Sequence, residues 1–194
     1  MSKIVAIEHI TLDGVFQGPA RPDEDTRGGF TAGGWAGAAD NDNAIQKAIG
    51  GQMGTNWSLL LGRVSYEDVG GFWSKQPPNP FTDSLNRAEK FVAASKPSSF
   101  SWQHTTFLDG DVPNGVADLK EHHDKTLVIF GSAVLVRSLM QTDLIDRFVL
   151  IVHPLVLGEG RRLFADEGPA EKLRLVDSVT TQAGVFAGTY ELAA

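Results

Sequence analysis

The chain has 194 residues, 42% of them hydrophobic and 21% charged, which fits one globular domain large enough to enclose a small-molecule site. Its formal net charge of -7 argues against a nucleic-acid-binding protein, which needs a basic face, but leaves room for a phosphorylated ligand held by a few local cations. The sequence has no cysteine, so disulfides, thiolate metal sites and cysteine nucleophiles are excluded. No apolar run approaches the roughly 18 residues of a membrane span, and no apolar leader opens the chain. We therefore expect a soluble cytoplasmic protein.

The first predicted element is a strand over residues 3–12, which are mostly apolar and β-prone. Residues 13–38 follow with many glycines and prolines and little periodicity, and so predict a long loop. A loop of this length inside a compact domain is either a flexible insertion or a functional segment. Phe30 and Trp35 favour function, because large aromatic side chains are costly to leave in water. Asp40 or Asp42 then caps a predicted helix that reaches residue 53.

The central prediction is a strand over residues 57–61, ended by Gly62 and followed at once by a helix over 63–73. Further strands are predicted over residues 90–94, 105–108, 126–130, 147–157, 173–181 and 185–192, and further helices over 81–88, 116–123 and 132–144. Pro154 is expected to kink or bulge the long strand that contains it, or to lie on an edge. Alternating strands and helices predict a mostly parallel sheet covered by helices, and the last two strands predict an antiparallel hairpin. No repeat or change of composition marks a boundary, so residues 1–194 are predicted to form a single domain.

Polar or small residues follow three of these strands, where ligands bind in open α/β sheets. These segments are Gly62-Arg63-Val64-Ser65, Ser95-Lys96 and Gly131-Ser132-Ala133. Two of them lead into helix N-termini, which favour anions, and Arg63 and Lys96 add positive charge. Each segment alone is most simply a turn. Their coincidence favours a site for two phosphate groups, as in a nicotinamide dinucleotide with a 2′-phosphate.

Several other chemistries are disfavoured by their missing motifs. Gly158-Glu159-Gly160 lacks the third glycine of the dinucleotide-binding fingerprint, and neither a P-loop nor a serine-hydrolase elbow is present. The histidines at positions 9, 104, 122, 123 and 153 show no metal-binding spacing, so no metal is predicted. His9 and His153 lie inside predicted strands and are interpreted as structural.

A family resemblance rests on segments spread in order along nearly the whole chain. These are Thr11-Leu12-Asp13-Gly14, Gly28-Gly29-Phe30, Gly33-Gly34-Trp35, Leu61 to Glu67, Ile129-Phe130-Gly131-Ser132, Leu144 to Arg147 and His153 to Gly160. With them the chain resembles the dihydrofolate-reductase-like superfamily, and within it the reductase domain of the riboflavin-biosynthesis deaminase-reductase (RibD C-terminal type) and its stand-alone relatives. The resemblance implies a three-layer α/β/α fold with a mixed, mostly parallel sheet, an NADPH cofactor and a homodimer.

The resemblance also implies roles for individual residues. Gly62, Arg63 and Ser65 would meet the adenosine-side phosphates, Ser95 and Lys96 the 2′-phosphate, and Gly131, Ser132 and Ala133 the pyrophosphate. The family has a second glycine where this chain has Ser132, which narrows the room for the pyrophosphate.

The resulting hypothesis is a reductase that passes hydride from NADPH to a small polar C=O or C=N substrate. The substrate is expected against Asp13 and the loop that carries Phe30 and Trp35, with Trp35 as a stacking or closing wall. Asp13 or Glu159 would donate the proton, directly or through water, although Asp13 is more simply interpreted as a turn residue and Glu159 as a solvated loop carboxylate. The alternative is a non-catalytic nucleotide-binding module on the same fold.

Overall fold

The computed structural model describes residues 1–37, 42–94, 98–108, 110–164 and 170–193. Its strands are β1 (Ile4–Thr11), β2 (Trp57–Gly62), β3 (Lys90–Ala93), β4 (Thr105–Leu108), β5 (Thr126–Phe130), β6 (Arg147–His153), β7 (Leu173–Thr180) and β8 (Phe186–Leu192). Its α-helices are α1 (Asn43–Met53), α2 (Arg63–Trp73), α3 (Pro80–Arg87), α4 (Val112–His122) and α5 (Ala133–Met140), and a 3₁₀ turn covers Arg27–Gly29.

The eight strands belong to one mixed sheet, and the chain divides into two compact units. The first unit comprises Met1–Ile4 and Gly54–Ile145, and the second comprises Val5–Met53 and Asp146–Ala194.

In the first unit the strand order is β4-β3-β2-β5, with parallel pairing throughout. β2 is apolar because both of its faces are covered, and Leu59, Leu60 and Leu61 are fully buried. The aromatic core of this unit centres on Tyr66 of α2. The Tyr66 hydroxyl accepts a hydrogen bond from the Trp102 backbone N–H at 2.8 Å.

Helix α2 packs tightly against this core at Gly70. A Cβ at Gly70 would lie 2.5 Å from Phe100 and 2.9 Å from Trp102, whereas a Cβ at the neighbouring Gly71 would meet nothing within 4 Å. The glycine at position 70 therefore sets how near the helix can come to the aromatic rings.

In the second unit the strand order is β1-β6-β8-β7. β1 and β6 are parallel, while β8 pairs antiparallel with both β6 and β7. Asp42 caps α1, since its carboxylate accepts from the Ala44 N–H at 2.8 Å. The other predicted cap, Asp40, lies outside the described residues.

The expected mixed, mostly parallel sheet with a C-terminal antiparallel hairpin is confirmed. Three predicted boundaries are wrong by four residues. α4 begins at Val112 rather than at residue 116, because Asp111 caps it and Pro113 occupies the first turn, where proline is well tolerated. α5 ends at Met140 rather than at residue 144. β6 ends at His153, so Pro154 follows the strand and does not bulge it.

Within the described ranges, no helix combines the length and the apolar character needed to cross a bilayer.

Candidate functional site

Two strand-to-helix turns of the first unit meet through a hydrogen bond between Gly62 and Ser132. β2 ends at Gly62 and α2 begins at Arg63, while β5 ends at Phe130 and α5 begins at Ala133. The Gly62 N–H donates to the Ser132 hydroxyl at 3.0 Å. A Cβ at Gly131 would lie in ordinary contact with the Ser65 hydroxyl, 3.4 Å away, so Ser65 of α2 lies beside the second turn. The predicted positions 62, 65, 131 and 132 are therefore brought together.

The backbone of the second turn is left-handed at two successive residues, with φ of 62° at Gly131 and 64° at Ser132. Glycine adopts this region freely, but serine does so at a cost. The Ser132 backbone is thus strained where its hydroxyl bridges the two turns, and Ser132 is largely buried there.

The helices that begin at these turns differ from the others in their capping. Side chains cap α1, α3 and α4, from Asp42, Asn79 and Asp111 respectively. Among the described residues, Gly62 gives α2 no side-chain cap, and Ser132 gives none to α5. The first-turn amides of α2 and α5 are therefore the ones best suited to receive an anionic ligand.

Arg63 stands at the N-terminus of α2 and is engaged with Glu67 one turn along the helix. Its Nη1 lies 3.1 Å from each Glu67 carboxylate oxygen, and Ser98 donates to the same carboxylate at 2.7 Å. Val64 beside it is 40% exposed, whereas Ala133 is buried at the start of α5. The predicted phosphate ligands Ser95 and Lys96 lie outside the described residues.

In the second unit, Asp13 holds together the segments that follow β1 and β6. Its carboxylate accepts from the Thr11 hydroxyl at 2.6 Å, from the Gly158 N–H at 2.9 Å and from the Leu157 N–H at 3.2 Å. The Thr11 hydroxyl and these backbone amides lower the pKa of Asp13 to about 2.

A carboxyl with this pKa is ionised at neutral pH and is a poor proton donor. The structure thus gives Asp13 an anchoring role through these hydrogen bonds, and its assignment as proton donor or substrate contact stays a prediction. Glu159, the other predicted acid, lies exposed in the segment after β6.

The predicted substrate residues Phe30 and Trp35 occupy different environments. Phe30 is buried, with its ring packed so closely under Gly160 that a Cβ there would lie 2.8 Å from it. This placement gives Phe30 a packing role, and its contact with a substrate stays a prediction. Trp35 is half-buried, and its indole N–H donates to the Gln17 carbonyl at 2.7 Å.

Gln17, which the sequence did not single out, organises the long loop. Its side-chain amide donates to the carbonyls of Asp25 at 3.1 Å and Arg27 at 2.9 Å, and its Oε1 accepts from the Arg161 N–H at 3.0 Å. Gln17 is almost fully buried. The described part of the loop is therefore hydrogen-bonded, through Gln17, to itself and to the segment after β6. A buried glutamine amide satisfied by backbone groups leaves no periodic signal in a sequence.

Two histidines interpreted as structural form a pair beside Trp35. The parallel register places Thr11 opposite His153 and His9 opposite Ile151, so both histidines lie on one face of the sheet. His9 Nδ1 and His153 Nε2 are 2.9 Å apart, and the edge of Trp35 meets the His153 ring with centroids 5.2 Å apart. Burial lowers the pKa of His9 to about 4, so its imidazole is neutral at pH 7. The sequence could not predict this pair, because the two positions are 144 residues apart and only the strand register brings them together.

No group of three or more potential metal-ligating side chains occurs in the portion of the chain that the structure describes.

Comparisons with known proteins place this geometry in context. Residues 74–187, more than half of the chain, match the sequence family described as the RibD C-terminal domain. YyaP of Bacillus subtilis (strain 168), an uncharacterized protein, is 29% identical over 140 residues, which cover 69% of this chain and 72% of YyaP.

Two solved structures share the fold. A Shewanella sp. PV-4 protein named for riboflavin biosynthesis superposes with a TM-score of 0.74 at 19% identity, covering 99% of each chain. Dihydrofolate reductase from Enterococcus faecalis, solved with NADP(H) and RAB-propyl, gives a TM-score of 0.58 at 17% identity, covering 99% of this chain and 97% of the reductase. The fold is therefore dihydrofolate-reductase-like. The extent of the family match shows that this protein belongs to the RibD C-terminal domain family.

Proposed function

We propose that this protein is an NADPH-dependent reductase that transfers hydride to a small polar C=O or C=N substrate, such as a pyrimidine or pteridine. Membership of the RibD C-terminal domain family supports this proposal, as does the shared fold with a dihydrofolate reductase that was solved with NADP(H). The observation that carries the proposal is that the Gly62–Ser132 hydrogen bond joins the N-termini of α2 and α5. Neither helix is capped by the side chain of its N-cap residue.

The residues of this junction have the donor chemistry that a phosphorylated dinucleotide needs. Amides of the first turns of α2 and α5 would donate to phosphate oxygens, and the partial positive charge of each helix N-terminus would favour them. The Ser132 hydroxyl accepts from Gly62 and keeps its own hydrogen for donation. Arg63 would supply the guanidinium that meets the 2′-phosphate.

When bound, the cofactor supplies the hydride, and the protein's own residues supply orientation and exclude water. Trp35 is held by Gln17 and would form a wall against the substrate ring. Asp13 would fix the segment after β6 through the Leu157 and Gly158 amides. Since Asp13 stays ionised at neutral pH, the proton would come from Glu159 or from water.

Turnover is tested by mixing the protein and NADPH with a panel of carbonyl, pyrimidine and dihydropteridine compounds while following the nicotinamide absorbance. A substrate-dependent loss of reduced cofactor supports the proposal. Binding of NADPH is measured separately by the change in tryptophan fluorescence. A protein that does not bind NADPH would refute the proposal.

The cofactor assignment is tested with Arg63→Ala, using Arg87→Ala on α3 as the control for loss of one positive charge. Charged hydrogen bonds contribute about 1.5–3 kcal/mol, so Arg63→Ala should weaken NADPH binding about 10- to 150-fold. NADH binding should change much less, because NADH lacks the 2′-phosphate. Equal weakening of both nucleotides would contradict the assignment of Arg63 to that phosphate.

A non-catalytic nucleotide-binding module is the second candidate. It is favoured by the low pKa of Asp13, which makes one of the two predicted acids a poor proton donor at neutral pH. Tight NADPH binding with no turnover on any member of the panel would select this alternative.

A further inference from the structure

The carboxylate of Glu67 accepts hydrogen bonds from Arg63 and Ser98, two donors that the proposed site would offer to a phosphate. Arg63 approaches both carboxylate oxygens at 3.1 Å, and the Ser98 hydroxyl donates to one of them at 2.7 Å. A guanidinium and a hydroxyl directed at one oxyanion form an arrangement that also suits a phosphate monoester. Glu67 thus already receives the interactions that the cofactor would need.

The carboxylate is charged under ordinary conditions. The hydrogen bond from Ser98, with a further contribution from Arg63, lowers the pKa of Glu67 below its usual value. A negative charge therefore stands beside Arg63 at neutral pH and would repel an incoming phosphate.

Breaking the Arg63–Glu67 ion pair in favour of a ligand costs little free energy. The two side chains are 43% and 35% exposed, and exposed ion pairs of this i,i+4 type are weak. Arg63 can therefore turn from Glu67 to a ligand, and the two anions compete for the same cation.

We propose that Glu67 is a specificity-determining residue that competes with the cofactor's 2′-phosphate for Arg63 and Ser98, and so limits the preference for NADPH over NADH. This inference rests on the proposed function and deepens it. It predicts that removing the charge of Glu67 strengthens binding of the phosphorylated nucleotide alone.

The test is Glu67→Gln, which keeps the side-chain length and an oxygen for Ser98 but removes the charge. Dissociation constants for NADPH and NADH are measured by tryptophan fluorescence at low ionic strength. From the strength of exposed pairs, at most about 1 kcal/mol, NADPH binding should tighten about two- to five-fold, with NADH changed by less than about 1.5-fold. Glu121→Gln on α4 makes the same change in net charge at an exposed position of the same unit and is the control.

Added salt supplies a second measurement, since screening should shrink the gain from Glu67→Gln. A gain that salt does not reduce would indicate a change of shape rather than of charge, and would overturn the inference. Equal tightening of NADPH and NADH, or an equal effect of Glu121→Gln, would also overturn it.

The two proposals fail in different ways. If the wild-type protein binds no NADPH, the proposed function is wrong. If the wild-type protein binds NADPH and Glu67→Gln leaves its affinity unchanged, the role of Glu67 alone is wrong.

Discussion

Ser132 combines a strained backbone with a bridging hydrogen bond. Ser132→Ala removes the acceptor of the partly buried hydrogen bond from Gly62, and should lower the free energy of unfolding by about 1–2 kcal/mol. The same substitution should weaken NADPH binding, because the two turns lose their link. Chemical denaturation and nucleotide titration measure the two effects.

Two further variants separate the hydrogen bond from the strain at this position. Ser132→Gly also loses the bond but relieves the left-handed conformation, so it should destabilise the fold less than alanine does. Ser101→Ala, at an exposed position, should change little. An alanine variant at position 132 as stable as the wild type would show that the bond contributes nothing.

His9 predicts a pH dependence of stability. Its pKa in the folded protein is about 4, below the value of about 6.5 in an unfolded chain, so the unfolded state binds the extra proton between these values. The associated stability is present above pH 6.5 and is lost as the pH falls towards 4, by on the order of 3 kcal/mol in total.

The measurement is the free energy of unfolding of the wild type and of His9→Gln between pH 7 and pH 5, where most carboxylates stay ionised. The wild type should lose stability faster than the variant as the pH falls. Parallel curves for the two proteins would contradict a buried neutral His9.

At the scale of elements, Gln17 joins the loop after β1 to the segment after β6. Gln17→Ala deletes three side-chain hydrogen bonds and should let the loop open locally. Trypsin should then cut after Arg27 or Arg161 at least about ten-fold faster, as timed digestion with mass spectrometry would reveal.

Gln182→Ala, in the exposed turn between β7 and β8, is the control for the same chemical change in the same unit. Unchanged digestion of Gln17→Ala would mean that the backbone bonds of the loop suffice to hold it.

Much of the element pattern could be predicted because local signals agree with the fold. The apolar run from residue 57 ends in Gly62, and Arg63 then starts a helix, as β2 and α2 confirm. The beginning of α4 was missed because proline at position 113 resembles a break, although proline fits a first helical turn.

The candidate site was predicted less completely, for a physical reason. Helix N-termini after apolar strands are visible in a sequence, so the turns at 62–65 and 131–133 could be named. Other features of the site depend on contacts between residues that are distant in sequence. These are the Gly62–Ser132 hydrogen bond, the hydrogen bonds of Asp13 to the segment after β6, and the His9–His153 pair. Sequence spacing carries no information about strand register, so these contacts could not be predicted.

At the scale of the whole molecule, ligand binding should raise thermal stability. A ligand at 100 times its Kd stabilises the folded state by about 2.7 kcal/mol, and 1 kcal/mol shifts Tm by roughly 2–4 °C for chains of this size. NADPH at that concentration should therefore raise Tm by about 5–10 °C, as differential scanning calorimetry can measure. NADH at the same concentration should give a smaller shift, and equal shifts would argue against recognition of the 2′-phosphate.

The close approach of α2 to its aromatic neighbours has a consequence for engineering. Gly71→Ala fills open space and should stabilise the helix by about 0.5–1 kcal/mol through its better helix propensity. Gly70→Ala drives a methyl group into Phe100 and Trp102, and should cost more than that gain. In a saturation library, two adjacent codons for the same amino acid should thus show opposite outcomes, with position 71 open to diversification and position 70 intolerant of it.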